Sequence, residues 1–194
     1  YSHTHVKTGD YMAALPRLSV HIFSGGERMP MLHDEQGLPL FYPTLFATSQ
    51  LRNAGAAVNT IRNKLADFIV LLRWEHQQGR DLISEFRNGQ FPTVADVVSL
   101  RDFAKLDMRD QSTTIGNASV RQTSVLDFLE SRVSSSPSVA TVRGQQHYNR
   151  MSTIADYLEF TASVVTQHQN SPQVAQEIAR MAKIIRKHRP RGLS

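Results

Sequence analysis

Apolar residues between Thr60 and Gln78 recur at the spacing of one face of an α-helix, and this feature constrains the fold most. The apolar positions on this face are Ile61, Leu65, Phe68, Ile69 and Leu72. Gly79 follows the stretch directly and is a typical residue for ending a helix. The pattern therefore predicts a long amphipathic helix that needs other elements to cover its apolar face.

The rest of the chain predicts more helices and one hairpin. Further helical segments are expected at 43–52, 80–87, 92–106, about 142–169 and about 172–187. Ahead of them, residues 18–22 alternate in polarity, 24–26 can form a glycine-rich turn, and 28–32 can return as a second strand. We therefore predict a mainly α fold, a bundle of about four main helices preceded by a small N-terminal β-hairpin.

Residues 107–142 differ in composition from the helical segments on either side. Of these 36 positions, 12 are Ser or Thr, which is typical of an extended connection rather than a core element. A short helix at about 123–132 is expected to interrupt it. The chain is thus interpreted as an N-terminal extension with the hairpin (1–40), a helical domain with an insert at 107–142 (41–188), and the start of a linker (189–194).

The composition excludes several kinds of chemistry. The chain has no cysteine, so disulfides, thiolate nucleophiles and cysteine-ligated metals are excluded. Its longest apolar run, Phe68–Leu72, is far shorter than the ~20 residues that cross a bilayer, so we expect a soluble protein with no membrane partner. His3 and His5 lack a third ligand nearby, and no nucleophile and base can be paired. We expect no metal, no cofactor, no small-molecule substrate and no catalytic residue in this chain.

The positive charge is concentrated in the last quarter of the chain. Residues 143–194 contain 8 basic and 3 acidic side chains, and the net charge of the whole chain is also +5. The other segments are therefore close to neutral. Such an asymmetry favours an acidic partner, such as nucleic acid or another anionic surface.

Three polar and basic clusters stand out, at 59–64, 143–150 and 180–191. The first two fall at predicted helix starts, where free N–H groups and the helix dipole favour a phosphate. Glutamine and asparagine in the second cluster can also bond to base edges. Each cluster has a simpler alternative, a capped or solvated helix end. The predicted DNA contacts are Arg52, Thr60, Arg62, Asn63, Lys64, Arg143, Gln145, Gln146, His147, Asn149, Arg150, Lys183, Arg186 and Lys187.

A further set of short motifs lies between residues 51 and 82: Leu51-Arg52-x-x-Gly55, Asn59-Thr60-Ile61, Leu65, Phe68, Leu72-x-Trp74 and Gly79-x-Asp81-Leu82. These motifs resemble the first half of the core-binding domain of tyrosine recombinases, the phage integrase family. The second half resembles Thr153-x-x-Asp156-Tyr157-Leu158-Glu159-Phe160, and residues 189–194 look like the junction to a catalytic domain. The insert at 107–142 is longer than the usual connection, and the hairpin is additional.

The resemblance implies a SAM-like helical bundle that grips double-stranded DNA and positions a separate catalytic domain for DNA integration and recombination. It also implies other recombinase protomers as partners, and a bacterial or phage cytoplasmic, nucleoid-associated location. The parent protein would cleave and rejoin DNA strands, whereas this chain alone would be inactive.

A helical protein-interaction or scaffold module with a basic C-terminal end is the alternative interpretation. The two differ in where the cations lie after folding. If Arg62, Lys64, Arg143, Arg150 and Lys183 line one concave surface, DNA binding is favoured, whereas scattered cations favour the scaffold.

Overall fold

The structure is a computed structural model that describes residues 16–107, 141–169 and 171–190. It contains a hairpin of β1 (Arg17–Ile22) and β2 (Arg28–His33), and then the helices α1 (Phe41–Phe46), α2 (Val58–Gln78), α3 (Leu82–Arg87), α4 (Val94–Ala104), α5 (Gly144–Thr166) and α6 (Pro172–Lys187). The predicted mainly α fold with a small N-terminal hairpin is confirmed. The helix predicted at 123–132 lies outside the described residues.

Local residue chemistry explains most helix ends. Gly79 ends α2 in the left-handed conformation, at φ 62°, which a residue with a side chain rarely adopts. Thr93 and Asp96 form a reciprocal capping box at the start of α4. The start of α2 differs from the prediction, because its cap residue is Ala57 and the side chains of Asn59 and Thr60 lie within the first turn. Within the described ranges, no side chain therefore caps the N–H groups of that turn.

Helix α5 is the central element of the core and packs against α1, α2, α3, α4 and α6. Aromatic rings join α1, α2 and α5. The ring of Phe68 stacks on that of Tyr157 at 4.1 Å, and the ring of Phe46 meets both edge-on. Each ring is at least 96% buried, and burial of such side chains contributes about 1.5–3 kcal/mol apiece. This cluster fixes the middle of α2 against the middle of α5.

The hairpin packs on the bundle through one strand. Met29 and Leu32 of β2 are buried, and β2 lies against α2. The antiparallel register pairs Leu18 with Leu32 and Val20 with Pro30. Towards the turn the apolar side chains emerge from the bundle, so that Ile22 is 60% exposed.

The chain leaves the bundle after α4 and returns to it before α5 at the same place. Leu106 and Thr141 form an antiparallel bridge, and the N–H of Val142 donates to the carbonyl oxygen of Lys105 at 3.0 Å. The C-terminal end of α4 is therefore held beside the N-terminal end of α5. In the described ranges, no helix is both long enough and apolar enough to cross a membrane.

Candidate nucleic-acid interface

The C-terminal half of α6 and the residues after it lie along the middle and the N-terminal half of α5. The Arg186 guanidinium donates to Asp156 at 2.8 Å and to Glu159 at 2.6 Å. One turn further on, the Arg189 guanidinium lies 4.7 Å from the centre of the Tyr148 ring and donates to the Ser152 hydroxyl at 3.1 Å. This antiparallel arrangement brings together two clusters that are more than thirty residues apart in sequence.

Helix α6 has a basic face opposite its apolar face. Ile178, Met181 and Ile185 are buried against the bundle. Lys183 and Lys187 are four residues apart, so they lie on one side of the helix, and both are exposed. Among the described residues, neither has an ion-pair partner. Their positive charges are therefore available to an external anion.

The start of α5 adds exposed polar groups and one more cation. Arg143 is the cap residue, and among the described residues no side chain bonds to the free N–H groups of the first turn. Gln145, Gln146 and Asn149 are exposed, and the Gln145 amide donates to the Asn149 side-chain oxygen at 2.9 Å. Uncapped N–H groups beside a cation form the kind of site that binds phosphate.

His147 and Arg150, two of the predicted DNA contacts, are buried in this structure. His147 is 5% exposed, and its Nε2 lies 2.9 Å from the carbonyl oxygen of Arg101. Burial lowers the pKa of this imidazole, so the neutral ring is favoured and Nε2–H acts as the donor. Both residues lie on the inner face of α5, which is buried for its whole length.

Arg150 is 2% exposed and its charge is used inside the protein. Its guanidinium donates to the carbonyl oxygens of Ala104 and Leu106, and its Nε lies 3.5 Å from a carboxylate oxygen of Asp67. Burial lowers the pKa of Arg150 and raises that of Asp67, which shows that desolvation is the largest effect on both groups. Arg150 therefore joins α5 to α4 and α2 instead of facing a ligand.

The cluster at the start of α2 does not form one surface. Arg62 and Lys64 are two residues apart, so their side chains diverge by about 200° around the helix. Arg62 is exposed with Thr60 and Asn63, whereas Lys64 lines a groove shared with Asp156 and Arg186. The acidic groups of that groove reduce the local positive potential.

Two other predicted contacts already have acidic partners. Arg52 pairs with Glu27 of the hairpin turn, and Arg186 pairs with two carboxylates as described above. These pairs are largely exposed, where an ion pair contributes only about 0–1 kcal/mol, so a phosphate can compete for the same guanidinium. Because carboxylates balance their charges, Arg52 and Arg186 nevertheless contribute little to the positive potential of the surface.

The structure adds two cations to the predicted contacts: Lys105, which lay outside the three clusters, and Arg189, which belongs to the cluster at 180–191. Lys105 is exposed beside Arg143, because the N–H of Val142 bonds to the Lys105 carbonyl. Arg189 is held in place by Tyr148 and Ser152. Lys105, Arg143, Lys183 and Lys187 are exposed on this side of the α5–α6 pair, and Arg189 is half-buried beside them. We call these five cations the basic end.

The five cations whose arrangement was to distinguish DNA binding from a scaffold do not line one concave surface, and by that criterion the scaffold alternative gains support. Arg150 is buried, and Arg62 and Lys64 diverge. The part of the chain that the structure describes also contains no group of three or more His, Asp or Glu side chains able to hold a metal ion. Any ligand of this surface must therefore be recognised by the basic end and the polar groups next to it.

Comparison with protein-family models, curated proteins and solved structures gives no match for this chain. The resemblance to tyrosine recombinases therefore depends only on the sequence motifs given above.

Proposed function

We propose that this chain binds double-stranded DNA through the basic end. The observation that carries the proposal is the cluster of exposed cations, without ion-pair partners in the described ranges, beside the uncapped start of α5. Lysine and arginine side chains neutralise phosphates, and N–H groups at a helix start bond to phosphate oxygens. Gln146 and Asn149 lie next to these positions and can reach base edges.

Within this function, we propose that the chain is the DNA-gripping N-terminal region of a tyrosine recombinase or integrase. The motif resemblance at 51–82 and 153–160 supports this, as does the helical bundle with its long central helices. A separate domain would then carry out strand cleavage, other protomers would assemble on the same DNA, and the protein would be nucleoid-associated in a bacterial or phage cytoplasm. Determining whether the natural reading frame continues past Ser194 into such a domain tests this directly.

DNA binding is tested by fluorescence anisotropy with a labelled mixed-sequence duplex at several salt concentrations. The logarithm of affinity should fall with the logarithm of salt concentration by about 0.9 per phosphate contact. The double variant Arg143→Ala/Lys187→Ala should reduce this slope by about 2, because it removes two contacts.

Arg87→Ala is the matched control for charge. Arg87 is exposed at the end of α3, and its carbonyl oxygen accepts from Gln169, which follows the C-terminal end of α5. It therefore lies about 33 Å, the length of α5, from Arg143. The control should keep the wild-type slope. Equal effects of both variants, or no complex at low salt with folded protein, would contradict the proposal.

The scaffold alternative is favoured by one specific observation, the divergence of Arg62 and Lys64 together with the pairing of Arg52 and Arg186. In that case the basic end would bind an acidic protein segment. An acidic peptide such as polyglutamate would then bind the protein more tightly than duplex DNA does at equal ionic strength.

A further inference from the structure

A cavity of about 340 Å³ lies between α2, α3 and α5, away from the basic end. Its walls are mainly apolar and include Leu71, Leu72, Leu82, Ile83, Phe86 and Leu158. This volume is within the ~300–1,000 Å³ typical of small-molecule sites. Apolar walls of this kind suit a short hydrocarbon chain or a single ring.

A carboxyl group lies among these apolar walls. Glu75 of α2 lines the cavity, and its Oε1 accepts a hydrogen bond from the N–H of Leu82 at 2.9 Å. Burial raises the pKa of Glu75 to about 7, because the ionised form loses hydration. The hydrogen bond from Leu82 therefore does not fully offset the hydration that the ionised Glu75 carboxylate loses on burial.

The cavity lining is acidic overall. Asp34 and Asp81 contribute two more carboxylates. Two basic side chains also line the cavity, those of His76 and Arg80. The Arg80 guanidinium is occupied by ion pairs with Glu85 and Asp96, the latter at 2.6 Å. Little positive charge is left to balance Glu75.

Two hydroxyl groups face the same cavity from α5. Tyr157 and Thr161 both line it, and their hydroxyls lie beside each other. Burial, together with the charge of Glu75, raises the pKa of the Tyr157 phenol, so it remains a neutral hydroxyl that can accept a hydrogen bond from an N–H group. The polar groups of the cavity are thus suited to a donor.

We propose that this cavity binds a small amphiphilic cation, a primary amine whose ammonium pairs with Glu75 and whose hydrocarbon part lies against the leucine and phenylalanine side chains. A bound ammonium supplies the missing positive charge and three N–H donors, for Glu75 and the α5 hydroxyls. An anion would be repelled by the carboxylates, and a neutral alcohol would leave the Glu75 charge unbalanced. The proposed amine site does not depend on the proposed binding of DNA at the basic end.

The proposal is tested with three probes of the same chain length, n-hexylamine, n-hexanol and hexanoate. Binding is followed at pH 8, where Glu75 is ionised, by ¹H–¹⁵N NMR spectra of the full chain, with the Leu82 amide as the reporter. Hexylammonium should bind at least about tenfold more tightly than hexanol, which is the contribution of a hydrogen bond to a charged group. Hexanoate should bind most weakly.

The variant Glu75→Gln keeps an oxygen that accepts from Leu82 but removes the charge. It should weaken hexylammonium binding about tenfold and leave hexanol binding within twofold. Glu177→Gln, on exposed α6, is the control for loss of one carboxylate and should bind hexylammonium as the wild type does. Equal affinity for the amine and the alcohol, preference for hexanoate, no shift at Leu82, or equal behaviour of the two variants would each overturn the proposal. The probe series on the wild-type chain is decisive even if Glu75→Gln does not fold.

Discussion

Arg150 and Asp67 form an ion pair inside the protein, with the Arg150 Nε 3.5 Å from the Asp67 carboxylate. The same guanidinium donates to the carbonyl oxygen of Ala104, the last residue of α4, and to that of Leu106 just after it. One side chain of α5 is therefore bonded to two other helices. Because these partners come from distant parts of the chain, Arg150 stabilises the arrangement of the bundle rather than any single helix.

Arg150→Met should destabilise the protein by about 3–5 kcal/mol, because it leaves the Asp67 charge without its partner and two carbonyls without a donor. Urea denaturation followed by circular dichroism measures this loss. Arg143→Met, an exposed position, is the control and should change stability by less than about 0.5 kcal/mol. An Arg150→Met variant of normal stability that fails to bind DNA would show that Arg150 contacts the ligand after all.

Glu75 should make the protein less stable as the pH rises. Its pKa is raised in the folded state from the ordinary 4.5 to about 7, so the folded protein binds the proton more tightly than the unfolded chain. The stabilisation is fully present below pH 4.5 and is lost as the pH rises through 7, by about 3 kcal/mol at most. Denaturation curves between pH 4.5 and 8 should show this fall in the wild type and not in Glu75→Gln, whereas Glu177→Gln should retain it.

His147 should have the opposite effect on stability, making the protein less stable as the pH falls. Its pKa is lowered in the folded state, so the unfolded chain takes up the proton first. Stability from this group is present above about pH 6.5 and is lost as the pH falls below it. His147→Gln can still donate to the Arg101 carbonyl and does not titrate, so it should flatten this part of the pH profile. His21→Gln, on the exposed hairpin, should leave the profile unchanged.

Gln146 should contribute to the preference of the protein for particular DNA sequences, whereas Lys183 should not. Gln146 is exposed, and its side chain has no hydrogen bond to the residues that the structure describes, so it is available to a base edge. On a site selected from random duplexes, Gln146→Ala should cost about 1–3 kcal/mol, with a smaller loss on unrelated DNA. Lys183→Ala should weaken binding to both by the same factor. If Gln146→Ala also lowers the affinity for the selected site and for unrelated DNA by the same factor, Gln146 contacts only the DNA backbone.

The sequence was sufficient to predict the elements whose evidence is local. The periodicity of 60–78 and the glycine after it identify α2, and the alternation at 18–22 identifies β1. The burial of Arg150 could not be predicted in this way, since its carbonyl partners are 44 and 46 residues away. A basic residue at the start of a helix looks the same in sequence whether it faces solvent or a neighbouring helix.

The candidate surface was predictable only in part, for the same reason. Lys183 and Lys187 follow from the helical spacing of α6. Lys105 joins Arg143 only because a backbone bond closes the connection between α4 and α5, and Arg189 is held by Tyr148, which is 41 residues earlier. Whether such residues become neighbours depends on how the helices pack, and a local sequence pattern does not indicate this.

The bridge between Leu106 and Thr141 also affects how this protein can change during evolution. Because both ends of the connection are fixed side by side, the bundle needs no particular length of chain between them. The entropy of closing a loop grows only with the logarithm of its length, by about 0.6 kcal/mol for each doubling. The closure at Leu106 and Thr141 therefore sets only a weak entropic limit on how long this connection can become.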